Sequence, residues 1–110
     1  MKEITTGLFH NMRKISKRNE LNLYYSILRI RKIEEKLKSL SPSYIRIEDE
    51  GHLHVGHAGA KKGGHFKLII GGECFRGLST IDRHKLIYKS LGELMDTDIH
   101  ALSISIKNKD

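Results

Sequence analysis

Residues 44–72 read YIRIEDEGHLHVGHAGAKKGGHFKLIIGG, two strand-like segments held apart by a loop far longer than a hairpin needs. Tyr44-Ile45-Arg46-Ile47-Glu48 alternates apolar and polar side chains with a period of two, the signature of a half-buried strand. His65 to Ile70 (HFKLII) is its natural antiparallel partner, closed by Gly71-Gly72. Between the two lie sixteen residues, Asp49 to Gly64, where a hairpin commonly uses about two to five. That loop holds five glycines and three histidines, a concentration of ligand-type side chains that marks a functional candidate.

Working outward, the pattern on the N-terminal side changes to a helix over Leu23–Leu40. Ile27, Ile30, Ile33, Leu37 and Leu40 recur at three and four residues, while Arg31, Lys32, Glu35, Lys36 and Lys38 fill the wet side. Ser41-Pro42-Ser43 stops it, because proline lacks the N–H that continues the ladder and restricts the residue before it. On the C-terminal side, Ser79 is placed to cap a helix, with Asp82 three residues on. Ile81, His84, Tyr88, Leu91 and Met95 make one stripe of that helix, with Ile87 and Leu94 beside it, and the helix is expected to end near Asp96. His100 to Ile106 (HALSISI) reads as the last strand, with Leu102, Ile104 and Ile106 on one face. Each element has a single apolar face to bury, so the order predicts an α+β domain: a three-stranded mixed sheet with helices covering one side.

Composition agrees with one small domain. The 110 residues leave no room for a second core, and the single cysteine, Cys74, has no disulfide partner within the chain, which points to a reducing compartment. With no secretory pattern and no apolar run long enough for a bilayer span, the expected location is cytoplasmic and no membrane partner is expected. The net charge of +7 is unevenly placed: residues 1–40 hold ten Lys/Arg against four acids, and residues 41–110 hold ten against nine. Basicity therefore belongs to the N-terminal part, where Asn11–Arg18 (NMRKISKR) carries four basic residues, and residues 1–22 read as a flexible basic extension before a domain at 23–110. Met12 offers a second available start. A near-neutral body argues against a dedicated polyanion-binding surface.

The chemistry-bearing side chains are histidines. His100 opens the last strand on the same face as Leu102, Ile104 and Ile106, at the edge of the core, where one ring nitrogen could be oriented by a backbone partner while the other faces solvent. His52, His54 and His57 lie in the glycine-rich loop and His65 opens the following strand. Without a CxxC, a closed structural zinc site is not expected, though zinc held by His54, His65 and His100 is a possible arrangement. An iron–sulfur cluster normally takes four thiolates, so a cluster here would need imidazole from this chain and further ligands from a partner. Cys74 reads as a small semi-buried residue, and His84, on an apolar helical stripe, as a packed histidine. Gly59-Ala60-Lys61-Lys62-Gly63-Gly64 lacks the spacing of a phosphate-binding P-loop and leads into no helix. No Ser/His/Asp set or paired carboxylate emerges, so the residues give no reason to expect an enzyme.

Several stretches together resemble the BolA family. They are Glu48-Asp49-Glu50 leading into His54-Val55-Gly56-His57-Ala58-Gly59; Gly64-His65-Phe66-Lys67; Phe75-Arg76-Gly77-Leu78-Ser79; Arg83-His84-Lys85-Leu86-Ile87-Tyr88; and Ile99-His100-Ala101-Leu102-Ser103-Ile104. The resemblance runs from about Ile30 to Ile106. It implies an α-β-β-α-α-β, class II KH-like fold with a short helix at Glu73–Arg76. It further implies a chain that is monomeric alone and forms a heterodimer with a monothiol glutaredoxin, sharing a 2Fe–2S cluster in iron–sulfur maturation or iron regulation. In such pairs the glutaredoxin and glutathione give sulfur ligands. The positions on this side would be His100 and a loop residue that reads as His54, with His65 the competing choice and His57 a third. Some bacterial members are DNA-binding transcriptional regulators, and in that alternative Arg83, Lys85, Lys89 and the basic leader would touch phosphates. The chain departs from the family pattern at Gly71-Gly72, where glycines are expected to loosen the end of the second strand.

Overall fold

The computed structural model describes residues 17–51 and 63–108. The elements are α1 (Lys17–Leu37) with a 3-10 turn at Lys38–Leu40, β1 (Tyr44–Asp49), β2 (Gly64–Gly71), a 3-10 turn at Glu73–Phe75, α2 (Thr80–Leu91), α3 (Leu94–Thr97) and β3 (Ile99–Ile106). The sheet order is β1-β2-β3. β1 pairs antiparallel with β2 from Tyr44↔Gly71 to Asp49↔Phe66, and β2 pairs parallel with β3. This is the expected three-stranded mixed sheet, and the short element after β2 lies where the resemblance put it.

The core lies on one side of the sheet. Phe66, Leu68 and Ile70 project from β2 into a cluster with Ile33 and Leu37 of α1, Phe75, Ile87 and Leu91 of α2, Leu94 and Ile99. Each such side chain, fully withdrawn from water, contributes roughly 1.5–3 kcal/mol, and it is this burial that fixes both helices against the strands. Among the described residues no polar or charged side chain is buried in the core.

Four sequence expectations are corrected by the packing. α1 begins at Lys17, six positions before Leu23, and its last turn tightens to 3-10 geometry before Ser41, which closes it at φ +47. Ile27 is not part of the buried stripe but 44% exposed, because the helix has run past the end of the sheet by that point. The second helix is two helices: Gly92, at φ +54, ends α2 by donating its N–H to the Tyr88 carbonyl, and Glu93 restarts the chain into α3. The buried stripe of α2 is turned by about one position from the expected one. Ile87 and Leu91 are fully buried, whereas Ile81 is 67% exposed and Tyr88 is also exposed. His84 is accordingly half-buried beside the core rather than within it. The Ser79 cap is as expected, its hydroxyl accepting the Asp82 N–H at 3.1 Å.

Gly71-Gly72 is the tightest point of the fold, not a loose one. A Cβ on Gly71 would collide with the Lys107 carbonyl, and one on Gly72 would stand 3.2 Å from the Pro42 Cα. The close approach lets the Asn108 side-chain amide bracket Gly72, its Oδ1 accepting the Gly72 N–H at 2.9 Å and its Nδ2 donating to the Gly72 carbonyl at 2.9 Å. Ser43 N–H and Lys107 N–H close the same corner onto the carbonyls of Gly71 and Ile70.

Candidate functional site

The chemistry gathers at the opposite end of the sheet, where β2 and β3 begin. The parallel register runs Gly64↔Ile99, then His65↔Ala101, so His100 is an extra residue in β3 with no partner across the ladder. Such a bulge breaks the alternation of faces and re-aims a side chain. Ile99 enters the core, Leu102, Ile104 and Ile106 resume the inward face, and His100 is left exposed. By strict alternation His100 would have shared the inward face; the bulge is the reason it does not.

His65 alternates with buried Phe66 and so stands on the outer side of β2, half-buried. The rings of His65 and His100 lie with centroids 5.0 Å apart and planes inclined by 36°. Two imidazoles this close, one exposed and one half-exposed, can turn lone pairs toward a common point outside the protein. Among the described residues no group of three or more His, Cys, Asp or Glu is placed to hold a metal ion. Of the sequence-expected ligands the structure brings His65 and His100 together; His54, with His52 and His57, lies outside the described residues.

Both flanks of that loop are fixed beside the pair. Glu50 N–H donates to the His65 carbonyl at 2.7 Å, and Gly51 N–H donates to Asp49 Oδ1 at 2.6 Å, turning the chain at the end of β1. On the return side Gly63 takes φ +138, open in practice only to glycine, and its Cα passes so near β3 that a Cβ would stand 3.0 Å from the His100 nitrogen. Gly64 N–H then donates to the Asp98 carbonyl at 2.9 Å.

Asp98 ties this end to α1. Its Oδ2 accepts from Lys32 Nζ at 3.1 Å and its Oδ1 from the Thr97 hydroxyl at 2.8 Å. Burial by itself works to raise the Asp98 pKa. The Thr97 and Lys32 hydrogen bonds, with the positive charges of Lys32 and Arg29, outweigh it, and the carboxyl is held below its ordinary value. Sequence reading missed Asp98 and Lys32, since nothing local signals a pair 66 positions apart. Gly63 was legible as half of a Gly-Gly doublet ahead of a strand.

The other candidates sit elsewhere. Lys85 and Lys89 are exposed on α2, one turn apart. Arg83 Nε donates to the Leu78 carbonyl at 2.9 Å, which commits part of its guanidinium to the α2 entry. Cys74 is half-buried against the core, and burial pushes its thiol pKa up, as fits a packing residue rather than a ready thiolate ligand. Among the described residues no helix is long and apolar enough to cross a membrane.

The element order and sheet define a small two-layer α+β domain with a pair of imidazoles at one open end of a three-stranded mixed sheet. Residues 37–110 match the family model described as BolA-like protein. The chain is 42% identical over 84 residues to "Protein BOLA1, chloroplastic" of Arabidopsis thaliana, an alignment covering 72% of this chain and 52% of that protein. It is 35% identical over 74 residues to "DNA-binding transcriptional regulator BolA" of Escherichia coli strain K12, covering 66% of this chain and 69% of that one. Among solved structures it superposes on BolA1 from Arabidopsis thaliana with a TM-score of 0.60 at 36% identity, covering 72% of this chain and 89% of that chain. On the BolA domain of SufE1 from the same plant the TM-score is 0.59 at 39% identity, covering 69% and 86%. The chain spans about half the length of the plant BOLA1 protein and 22% of "SufE-like protein 1, chloroplastic/mitochondrial". The chain belongs to the BolA family.

Proposed function

We propose that this protein is a non-enzymatic adaptor that binds a monothiol glutaredoxin and shares a 2Fe–2S cluster with it, serving iron–sulfur maturation or iron regulation. The observation that carries the reading is the bulge at His100, which sets that imidazole 5.0 Å from His65 at an exposed end of the sheet. Each iron of a 2Fe–2S cluster takes two terminal ligands beside its bridging sulfides, four in all, so two imidazoles from this chain leave two places for thiolates from outside, from the glutaredoxin and glutathione. The donor set fits the group: imidazoles in place of thiolates would raise the cluster's potential, as in Rieske centres. His100 is one ligand in this reading; the second is His54 or His65, with His57 third. Cytoplasmic location belongs to the proposal, and the plant relatives' names place those proteins in chloroplasts or mitochondria.

The test is to mix the protein with cluster-loaded monothiol glutaredoxin and glutathione and record visible absorption and circular dichroism, then repeat with His100→Ala. A changed cluster spectrum in a one-to-one complex, altered by the substitution, is the expected result. An unchanged spectrum with no complex would refute the reading.

A second reading, a DNA-binding transcriptional regulator, is favoured by the names of the bacterial relatives and by exposed Lys85 and Lys89. The Gly56-His57-Ala58-Gly59 spacing does match a G-x-x-G clamp, but it falls between β1 and β2 and outside the described residues. The reading predicts affinity that falls steeply with salt and is weakened by Lys85→Ala and Lys89→Ala.

A further inference from the structure

Among the described residues, the apolar side chains of α1 that pack against the core are Ile30, partly buried, followed by Ile33 and Leu37. The helix nevertheless starts at Lys17. At about 1.5 Å per residue, the stretch from Lys17 to Ile30 amounts to roughly 20 Å of helix without a core beneath it. The Lys32–Asp98 ion pair fixes which way this overhang runs. Asp98 lies immediately before β3, so the free half of α1 projects past the end of the sheet that carries His65 and His100.

That overhang is not polar. Leu21, Tyr25, Leu28 and Lys32 recur at four, three and four residues and so line one face, the face that meets Asp98. Leu21 is 56% exposed and Tyr25 49% exposed, with Tyr24 standing edge-on to Tyr25 at 6.0 Å and the Arg29 guanidinium 5.6 Å above the Tyr25 ring. Tyrosine and arginine are among the residue types that anchor protein interfaces, and the exposed leucine beside them adds apolar area to the same face. From Lys17 to Lys32 the charged residues of α1 are Lys17, Arg18, Arg29, Arg31 and Lys32 against Glu20 alone. The other acids of α1, Glu34 and Glu35, stand further along, where Glu35 is paired with Lys38. A second copy placed face to face would oppose basic residue to basic residue, which disfavours self-association through this surface.

We infer that the overhanging face of α1, Leu21, Tyr25 and Leu28 with Arg29 and Lys32, is a docking shelf for the partner that completes the His65–His100 site. That partner presents an apolar patch rimmed by acidic side chains. The inference rests on the adaptor reading and deepens it: the histidines set what the partner's bound group becomes, and the shelf sets how tightly the partner is held.

The experiment titrates cluster-loaded monothiol glutaredoxin, with glutathione, with the full chain and three variants, following cluster circular dichroism and complex size. L21Q/Y25Q keeps good helix formers at exposed positions and is expected to reach the same end-point spectrum as the unsubstituted chain while needing about tenfold more protein. His100→Ala changes the end-point spectrum instead. Ile81→Gln, an equally exposed apolar site on α2, changes neither, and raising salt weakens the unsubstituted complex. Equal affinity for L21Q/Y25Q, with unchanged melting and an intact complex, overturns the shelf while leaving the adaptor reading standing. Affinity indifferent to salt overturns its acidic partner. No complex with the unsubstituted chain overturns both.

Discussion

Replacing Gly63 by alanine tests whether the loop return is what seats His100. Gly63 sits at φ +138, a region that costs an L-residue about 1–3 kcal/mol, and its new Cβ would stand 3.0 Å from the His100 nitrogen and 3.2 Å from the Asp98 carbonyl oxygen. Relief requires the two backbones to part by a few tenths of an ångström, which lengthens the 2.9 Å bond from Gly64 N–H to the Asp98 carbonyl, worth about 1 kcal/mol. The sum is a loss of about 3 kcal/mol. Gly77 supplies the internal standard: its φ is +76 and a Cβ there meets nothing within 4 Å, so Gly77→Ala carries only the left-handed penalty, about 1 kcal/mol. Urea and thermal unfolding of both variants should therefore differ by about 2 kcal/mol, or roughly 8–16 °C in midpoint for a domain of this size. The His65 and His100 ring resonances should move in Gly63→Ala and stay in place in Gly77→Ala. If the two alanine variants lose the same stability, crowding against His100 is not what Gly63 relieves, and the account of the bulge is wrong.

Leu91→Ala should cost roughly 2–5 kcal/mol in urea unfolding and Ile81→Ala no more than about 0.5 kcal/mol; a loss at Ile81 as large as that at Leu91 would restore the stripe read from sequence. Ser79→Ala removes the acceptor of the Asp82 N–H and should cost about 1 kcal/mol, with a neutral result arguing that the cap is idle. Gly71→Val, a collision with the Lys107 carbonyl, should cost about 2–4 kcal/mol through the hydrogen bonds around Asn108, whereas a loose strand end would accept it without loss. Asp98 is held below the ordinary value of 3.8, so its contribution to stability is complete above that value and is lost as pH falls through it toward the lowered one. Asp98→Asn should remove that part of the acid-side slope as pH falls below the ordinary carboxylate value, by about 1 kcal/mol or less because Lys32 is well exposed, and identical slopes would refute the linkage.

What the sequence made legible was whatever a short window contains. The period-two run at Tyr44–Glu48, the apolar run at Phe66–Ile70 and the Ser79 cap each carry their own signal, and the sheet with its one-sided helices follows from them. The misreadings lie where a distant surface decides. Ile27 lies ahead of the stretch of α1 that meets the core and Ile81 on a face of α2 turned from it, and hydrophobic period alone fixes neither where a helix meets the core nor which of two neighbouring stripes does. Gly92 inside a helical pattern was passed over because neighbouring Leu91 and Leu94 keep the period going across the break. The Gly71-Gly72 corner read as loose because its reason for being glycine, the Lys107–Asn108 backbone, comes more than thirty residues later.

The His100 bulge was different, since its signal was present and local. Read from Ile99 rather than His100, the inward residues of the last strand are 99, 102, 104 and 106, spaced by three and then by two. A strand whose apolar spacing slips once from two to three contains one residue more than its partner, and the surplus residue is the one turned out of the core. Here the surplus lies between Ile99 and Leu102, and the pairing assigns it to His100. The same slip explains why a histidine can stand at the start of a core strand at negligible cost: the bulge exempts it from burial, and Ile99 takes the inward place. A ligand presented in this way is anchored by the core through its neighbour yet belongs to the surface. Beside His65 it puts two imidazoles 5.0 Å apart at the surface, and on the proposed function a thiol-bearing partner supplies the ligands that complete the cluster's coordination.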